Sequence, residues 1–346
     1  MRSDRHEKRG CSPVVGIFIV IILLFAACGG FYLTLGSPAD SGSTQQISVS
    51  IPQGASTGQI GQILEDSGVI KSEFKFKLLS RIKGKDGSYK AGGYVLSPSQ
   101  NLTEIMDILS LGQTSANRFT VPEGYTVDQT ADKLAAEGIV DREEFMSELA
   151  YGDFDYKFMS LLPVGEKRFE GFLYPETYEV SEGATAHQVI DRMLSQFDKV
   201  MLDEYYAQAT SMNMNVYDVI TVASIIERET MLDSEKPMVA SVIYNRLKKG
   251  IALQIDATVQ YALGKHKERL KYSDLKVDSP YNTYKHPGLP PGPICSPGVE
   301  SIKAALYPAQ SDNYYYVLSD KQDGSHVFSA TYNEFLKNKK AYQNSL

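Results

Sequence analysis

The sequence predicts an α+β chain: one membrane-spanning helix near the amino end, a small α/β module, and a larger, mostly helical domain carrying a β-hairpin. Three observations predict it. No charged residue occurs from Gly10 to Ala39. Between Ile47 and Leu111, alternating apolar positions give way to helical spacing and back again. Beyond Arg118 helical spacing dominates until two short alternating runs near the carboxyl end.

Within the uncharged window, residues 14–35 are long enough to cross a bilayer as a helix. Arg2, Arg5, Lys8 and Arg9 precede it, so residues 1–13 are expected to be a cytoplasmic tail and everything after Leu35 to lie outside. A permanent anchor is favoured over two rivals, a cleaved signal peptide and lipidation at Cys28. No convincing cleavage site is present, and the apolar run continues past Cys28 through Phe31, Leu33 and Leu35. Residues 36–46, rich in Ser, Gly and Thr, read as a linker.

The small module is expected over residues 47–115. Ile47, Val49 and Ile51 alternate as in a half-buried strand. Pro52 and Gly54 make a turn, Ser56 or Thr57 caps a helix through Leu64, and Gly68 ends it. Tyr94 to Leu96 reads as a second strand, and Leu102 to Leu111 as a helix stopped by Gly112, a βαβ or βααβ arrangement. Residues 51–70 align without gaps on 121–140, with Pro, Gly, Gln, Leu and Gly coinciding at 52/122, 54/124, 59/129, 64/134 and 68/138. Duplication of a strand–turn–helix unit and a chance pair of Pro-x-Gly turns both fit this match.

The larger domain is expected over residues 118–346. Helical patterns cover Tyr125–Ala150, Ala186–Asp198 and Asp203–Met212, interrupted by the turn-rich aromatic run EGFLYPETY at 170–178. A helix capped by Asn215 ends in VASIIERET at 222–230, and a second helix runs from Asp233 or Ser234 to Lys249 with Gly250 as its stop. The segment 253–261 starts extended and turns helical. A long loop dense in Pro and Gly covers 279–298; ordered loops of this length inside a domain are usually functional. Val299–Leu306 is a helix, Tyr314–Leu318 and His326–Phe328 pair as a hairpin around Asp320–Gly324, and a helix covers Thr331–Ala341.

The chemistry points to the run at 222–230. Val222, Ile225 and Ile226 share a helix face with Glu229. A carboxyl group at the end of an apolar stripe is pushed towards its neutral form, and a neutral acid can protonate a leaving oxygen such as a glycosidic one. Glu227 points roughly opposite and is the alternative acid. Net charge is −7, which disfavours a nucleic-acid partner. His6, His187, His266, His286 and His326 are scattered and no phosphate-binding Gly loop occurs, so neither a metal nor another cofactor is expected. The 22 Tyr and absence of Trp fit carbohydrate surfaces and ordinary cores alike.

Seven segments in order, the amino-terminal span, EGFLYPETY (170–178), ASIIERET (223–230), VASVIYNR (239–246), LQIDATV (253–259), SPYNTY (279–284) and GLPPGPI (288–294), resemble the endolytic murein transglycosylases, the YceG-like family. The pattern departs slightly: Ala257 replaces a frequent Pro and Ile255 a Thr. The resemblance implies a LysM-like small module, a lysozyme-like catalytic domain and a single-pass bacterial membrane enzyme with its catalytic domain outside the cytoplasm. It implies cleavage of peptidoglycan glycan strands between N-acetylmuramic acid and N-acetylglucosamine, leaving a 1,6-anhydro end. It places the catalytic acid and base at Glu229, within the Glu-x-Glu-Thr motif, and makes peptidoglycan synthases plausible neighbours. Gln254 and Asn282 are candidates to hold acetamido or hydroxyl groups, Tyr281 and Tyr284 to stack on a sugar, and Glu176 and Asp256 to orient neighbours. The rival functions are a water-using muramidase, with Asp256 or Glu176 as second carboxylate, and a silent glycan-binding scaffold.

Overall fold

The structure is a computed structural model describing residues 35–112, 116–265, 267 and 269–346. The expected tail, the span at 14–35 except Leu35, and His266 lie outside the described residues. Among the described residues no helix is long and apolar enough to cross a membrane. The architecture is mixed α+β, built from helices and three two-stranded sheets. The chain divides into two compact units: the described residues up to Ala116 with Ser181–Ala184, and Asn117–Val180 with Thr185–Leu346.

In the first unit β1 (Ile47–Ile51) is followed by α1 (Thr57–Asp66), α2 (Glu73–Ile82), β2 (Gly92–Leu96) and α3 (Leu102–Leu111). β1 and β2 are antiparallel, Val49 facing Tyr94. Of the two arrangements the sequence allowed, this is βααβ. Ser56 is the cap of α1, in a capping box with Gln59 that satisfies two helix-end donors reciprocally. Asn101 and Glu104 do the same for α3, which Gly112 ends in the left-handed conformation at φ 70°. The apolar faces meet in one core around Tyr94, Phe76, Leu64 and Ile105.

The second unit begins within β3 (Ala116–Thr120), followed by α4 (Val127–Ala136), α5 (Arg142–Tyr151) and β4 (Thr177–Ser181), which pairs with β3; Ala116 and Ser181, the outer ends of the two strands, count with the first unit. The two aligned segments fold alike. Thr126 and Gln129 form the same capping box 70 positions on, Gly54 and Gly124 both sit at φ 77°, and Gly68 and Gly138 both end their helices at positive φ. The strand β4, hidden behind Pro175 in a run that reads as turn, completes the second βααβ pattern.

There follow α6 (Ala186–Val200), α7 (Asp203–Ser211), α8 (Val216–Glu229), α9 (Lys236–Lys249), α10 (Asp256–Ala262), α11 (Val299–Leu306), β5 (Tyr315–Leu318), β6 (His326–Ser329) and α12 (Tyr332–Ser345). The helix α8 is buried on all sides from Val219 to Ile226 and packs against α9, α10 and α11. A helix apolar all round belongs at the centre of a domain. The Pro/Gly loop is packed rather than floating: residues 292–297 are buried. The Ile294 amide donates to Ser224 Oγ at 3.0 Å, and Gly171, at φ 84°, lets the 170–178 turn press on Pro293 and Ile220, where a Cβ would meet atoms at 2.6–2.8 Å. The loop therefore holds α8 in place. The antiparallel hairpin pairs Tyr316 with Phe328, and α12 packs on β5.

Candidate active site

Glu229 is the last residue of α8, where the helix leaves the core. Its carboxylate is half-buried and lines a groove of ≈ 440 Å³. The other walls are Arg246 of α9, the 253–256 segment, Tyr284, Tyr314–Tyr316 of the hairpin, and Tyr332, Phe335 and Lys339 of α12. Tyr316 Oη donates to Glu229 Oε2 at 2.6 Å. Burial raises the Glu229 pKa above the ordinary carboxylate value; the Tyr316 hydrogen bond opposes the rise, the Asp256 charge adds to it, and His326 and Arg228 oppose it. Burial also pushes the Tyr316 hydroxyl well up, so it stays a donor.

Glu227 is committed elsewhere. Its side chain is 10 % exposed and Oε2 accepts from the Gly298 amide at 3.0 Å and from Ser301 Oγ at 2.6 Å, with Lys236 Nζ at 3.7 Å. It thus neutralises donors at the start of α11, where a negative charge is favoured. It does not line the groove.

The remaining sequence candidates divide. Gln254, Asp256 and Tyr284 line the groove with Glu229. Tyr284 Oη donates to Asp256 Oδ1 at 2.6 Å, and Gln254 is held at φ 54°, a strained setting for a residue with a side chain, by its amide bond to the Thr283 carbonyl. Asn282 is fully buried. Its amide donates to the Leu275 and Val277 carbonyls, both at 2.9 Å, and its Oδ1 accepts from the Tyr284 amide, so it shapes the turn beneath Tyr284 rather than facing the groove. Tyr281 packs against Tyr261 with ring centroids 4.8 Å apart, outside the groove. Glu176 is exposed, accepts from its neighbour Thr177, and does not line the groove.

Sequence reasoning missed Tyr316 and Arg246 as site residues. Arg246 donates to the carbonyls of Tyr314 (2.8 Å), Ala252 (3.1 Å) and Leu253 (2.6 Å), binding the hairpin and the 253–256 segment into one wall. Behind Tyr316 the His326 ring meets it edge-on, and Glu235 accepts from the His326 amide at 2.9 Å and lies 2.8 Å from its Nδ1. The one signal for Tyr316 was its place on an aromatic strand; the partner it meets is 87 residues earlier. Among the described residues no cluster of side chains could hold a metal ion.

A half-buried carboxyl with a raised pKa, held by a tyrosine at the wall of a groove, has the chemistry of a general acid or base. The chain belongs to the YceG-like family, whose family model matches residues 49–341. It is 35 % identical to the endolytic murein transglycosylase of Bacillus subtilis (strain 168) over 331 residues, 92 % of this chain and 91 % of that one. It is 32 % identical to the endolytic murein transglycosylase of Streptococcus pneumoniae serotype 2 (strain D39 / NCTC 7466), covering 95 % of this chain and 65 % of that longer protein. The crystal structure of a yceG-like protein from Listeria monocytogenes superposes with a TM-score of 0.57 at 38 % identity, covering 85 % of this chain and 99 % of that one.

Proposed function

We propose that this chain is an endolytic peptidoglycan lytic transglycosylase with Glu229 as its acid and base. The observation that carries the assignment is the placement of Glu229: a carboxyl with raised pKa, in the groove, in hydrogen-bond contact with Tyr316. The protonated acid gives its proton to the oxygen joining N-acetylmuramic acid C1 to the next N-acetylglucosamine, and the C1–O bond breaks. The resulting carboxylate then takes the proton of the muramyl 6-hydroxyl as O6 bonds to C1, closing the 1,6-anhydro ring. Glu229 ends protonated, as it began, and no water is consumed. The intramolecular nucleophile supplies a large effective concentration.

Asp256 keeps a muramidase as the second reading, because it is a second carboxylate lining the same groove. Product mass separates the two: an anhydro end is lighter by one water. Glu229→Gln is expected to lower cleavage by about 10²–10⁴-fold while strand binding persists. Undiminished cleavage in that variant refutes the assignment.

The same proposal places the chain on a bacterial cell membrane, with residues 14–35 as a single-pass anchor and the catalytic domain outside the cytoplasm. The module at 47–115 is LysM-like and grips glycan, the domain at 118–346 does the chemistry, and peptidoglycan synthases are its neighbours. Removal of residues 1–35 is expected to move the protein from the membrane fraction to the soluble fraction with cleavage intact; retention in the membrane fraction argues against the anchor.

A further inference from the structure

A second hollow, of ≈ 180 Å³, lies in the same unit as the groove. The two have no lining residue in common but are lined by neighbours along the chain. Glu229 and Asp256 line the groove, while their chain neighbours Arg228 and Ala257 line the hollow. The end of α8 and the first turn of α10 thus form a partition with the acid on one side and this hollow on the other.

Its lining is chemically specific. Asp128 is occupied: its carboxylate accepts from Lys167 at 3.0 Å and from Arg142 at 3.4 Å. Lys167 also lies over the Tyr261 ring, 5.3 Å from its centroid, and that ring is fixed by a 3.0 Å bond from its hydroxyl to the buried Glu170. Arg228 is exposed and makes one 3.3 Å bond to the Gly124 carbonyl, with no acid within salt-bridge distance among the described residues. Lys265 is likewise exposed and without an acid partner among them. Gln129 and Gln260 also line the hollow; their Oε1 atoms accept from the Thr126 amide at 2.9 Å and the Lys267 amide at 3.2 Å, which leaves their NH2 groups as donors, and Asp132, the second lining carboxylate, accepts from Arg142 at 2.6 Å. Two cations without an acid partner, beside two carboxylates already paired and two amide NH2 donors, match a short peptide that carries carboxylates: guanidinium and ammonium for the carboxylates, NH2 groups for the peptide carbonyls.

We infer that this hollow is a subsite for the peptide stem of the glycan, a short carboxylate-bearing peptide. The inference rests on the proposed function. In peptidoglycan the stem hangs from the lactyl group of the muramyl sugar, the same sugar whose C1 and C6 react at Glu229. A stem must therefore start within a few ångströms of the acid. At about 3.5 Å per extended residue, five residues span roughly 17 Å, more than the ~10 Å diameter of one helix. Recognition of the stem there fixes which sugar of a repeating strand sits over the acid, since only alternate sugars carry one.

The test uses the full chain carrying Glu229→Gln and glycan strands of one length, either with stems intact or stripped of them by an amidase. The parent is expected to bind stem-bearing strands about tenfold more tightly, a preference that shrinks as salt is raised. Adding Arg228→Ala and Lys265→Ala, both at exposed side chains, is expected to remove the preference while the affinity for stripped strands is the internal reference. An unchanged preference in the triple variant overturns the inference, as does equal weakening towards both strands, which marks a sugar subsite, or the absence of any preference in the parent. The binding ratio does not depend on which residue is the acid. Cleavage retained by Glu229→Gln therefore strikes the catalytic assignment alone.

Discussion

The behaviour of Glu229 is set by a few neighbours whose effects have opposite signs. Burial and the Asp256 charge favour the neutral acid; Tyr316 stabilises the carboxylate. The proposed role, giving and then retaking a proton, works best with a pKa near the operating pH, and the Tyr316 bond works against the rise that burial causes. Tyr316→Phe removes the donor. The basic limb of the kcat profile is then expected to move up by about one to two pH units, since a hydrogen bond to a charged group is worth about 1.5–3 kcal/mol. A profile that stays in place, measured on a defined glycan, shows that Tyr316 is not coupled to the acid.

At the scale of elements, the two glutamates of α8 divide the labour. Glu227 joins the end of α8 to the start of α11, and Glu229 is left for the groove. Glu227→Ala leaves the Gly298 amide and Ser301 hydroxyl without their acceptor and Lys236 with less opposing charge. A loss of about 2–3 kcal/mol in a denaturant melt is expected. Glu227→Gln keeps a carbonyl acceptor and is expected to fold and cleave, whereas Glu229→Gln folds and does not cleave.

Elements were legible where local chemistry marks their ends. Asn215, Gly112, Gly250 and Thr331 all cap or stop helices as their residue types dictate. The hairpin turn also falls within Asp320–Gly324, with Gln322 and Gly324 at positive φ. The start of α9 is two to three residues later than expected, at Lys236 with Pro237 in its first turn. α2 and β4 were not legible as elements. β4 has only five residues, begins two residues after Pro175, and is a strand because β3 lies beside it. Within the groove, Glu229 was legible from the apolar stripe that carries it. Tyr316 and Arg246 were not, because what matters is which distant backbone they meet. Asn282 has the chemistry of a sugar ligand and spends it on local carbonyls.

Across the whole molecule, one buried acid outside the groove sets a pH dependence of stability. Glu170 is 2 % exposed and accepts from the Val127 amide and the Tyr261 hydroxyl, both at 3.0 Å. Burial raises its pKa from 4.5 to about 7 against those two bonds. The folded state therefore holds this proton more tightly than the unfolded chain does. The stabilisation is complete below about pH 4.5 and is lost as pH rises through about 7. At about 1.4 kcal/mol for each tenfold in proton affinity the loss is at most about 3.5 kcal/mol. Denaturant melts of the wild type and of Glu170→Gln, taken from pH 4 to 8, are expected to diverge by that amount in favour of the variant as pH rises. Parallel curves contradict the assignment of a raised pKa.

The 87 residues between Glu229 and Tyr316 also impose an order in time. A ribosome adding about 5–20 residues per second needs roughly 4–17 seconds to travel from one to the other. Throughout that interval the growing polypeptide carries the acid without the aromatic wall of its cleft. A complete cleft therefore arrives late in biosynthesis, after the helices that hold the acid.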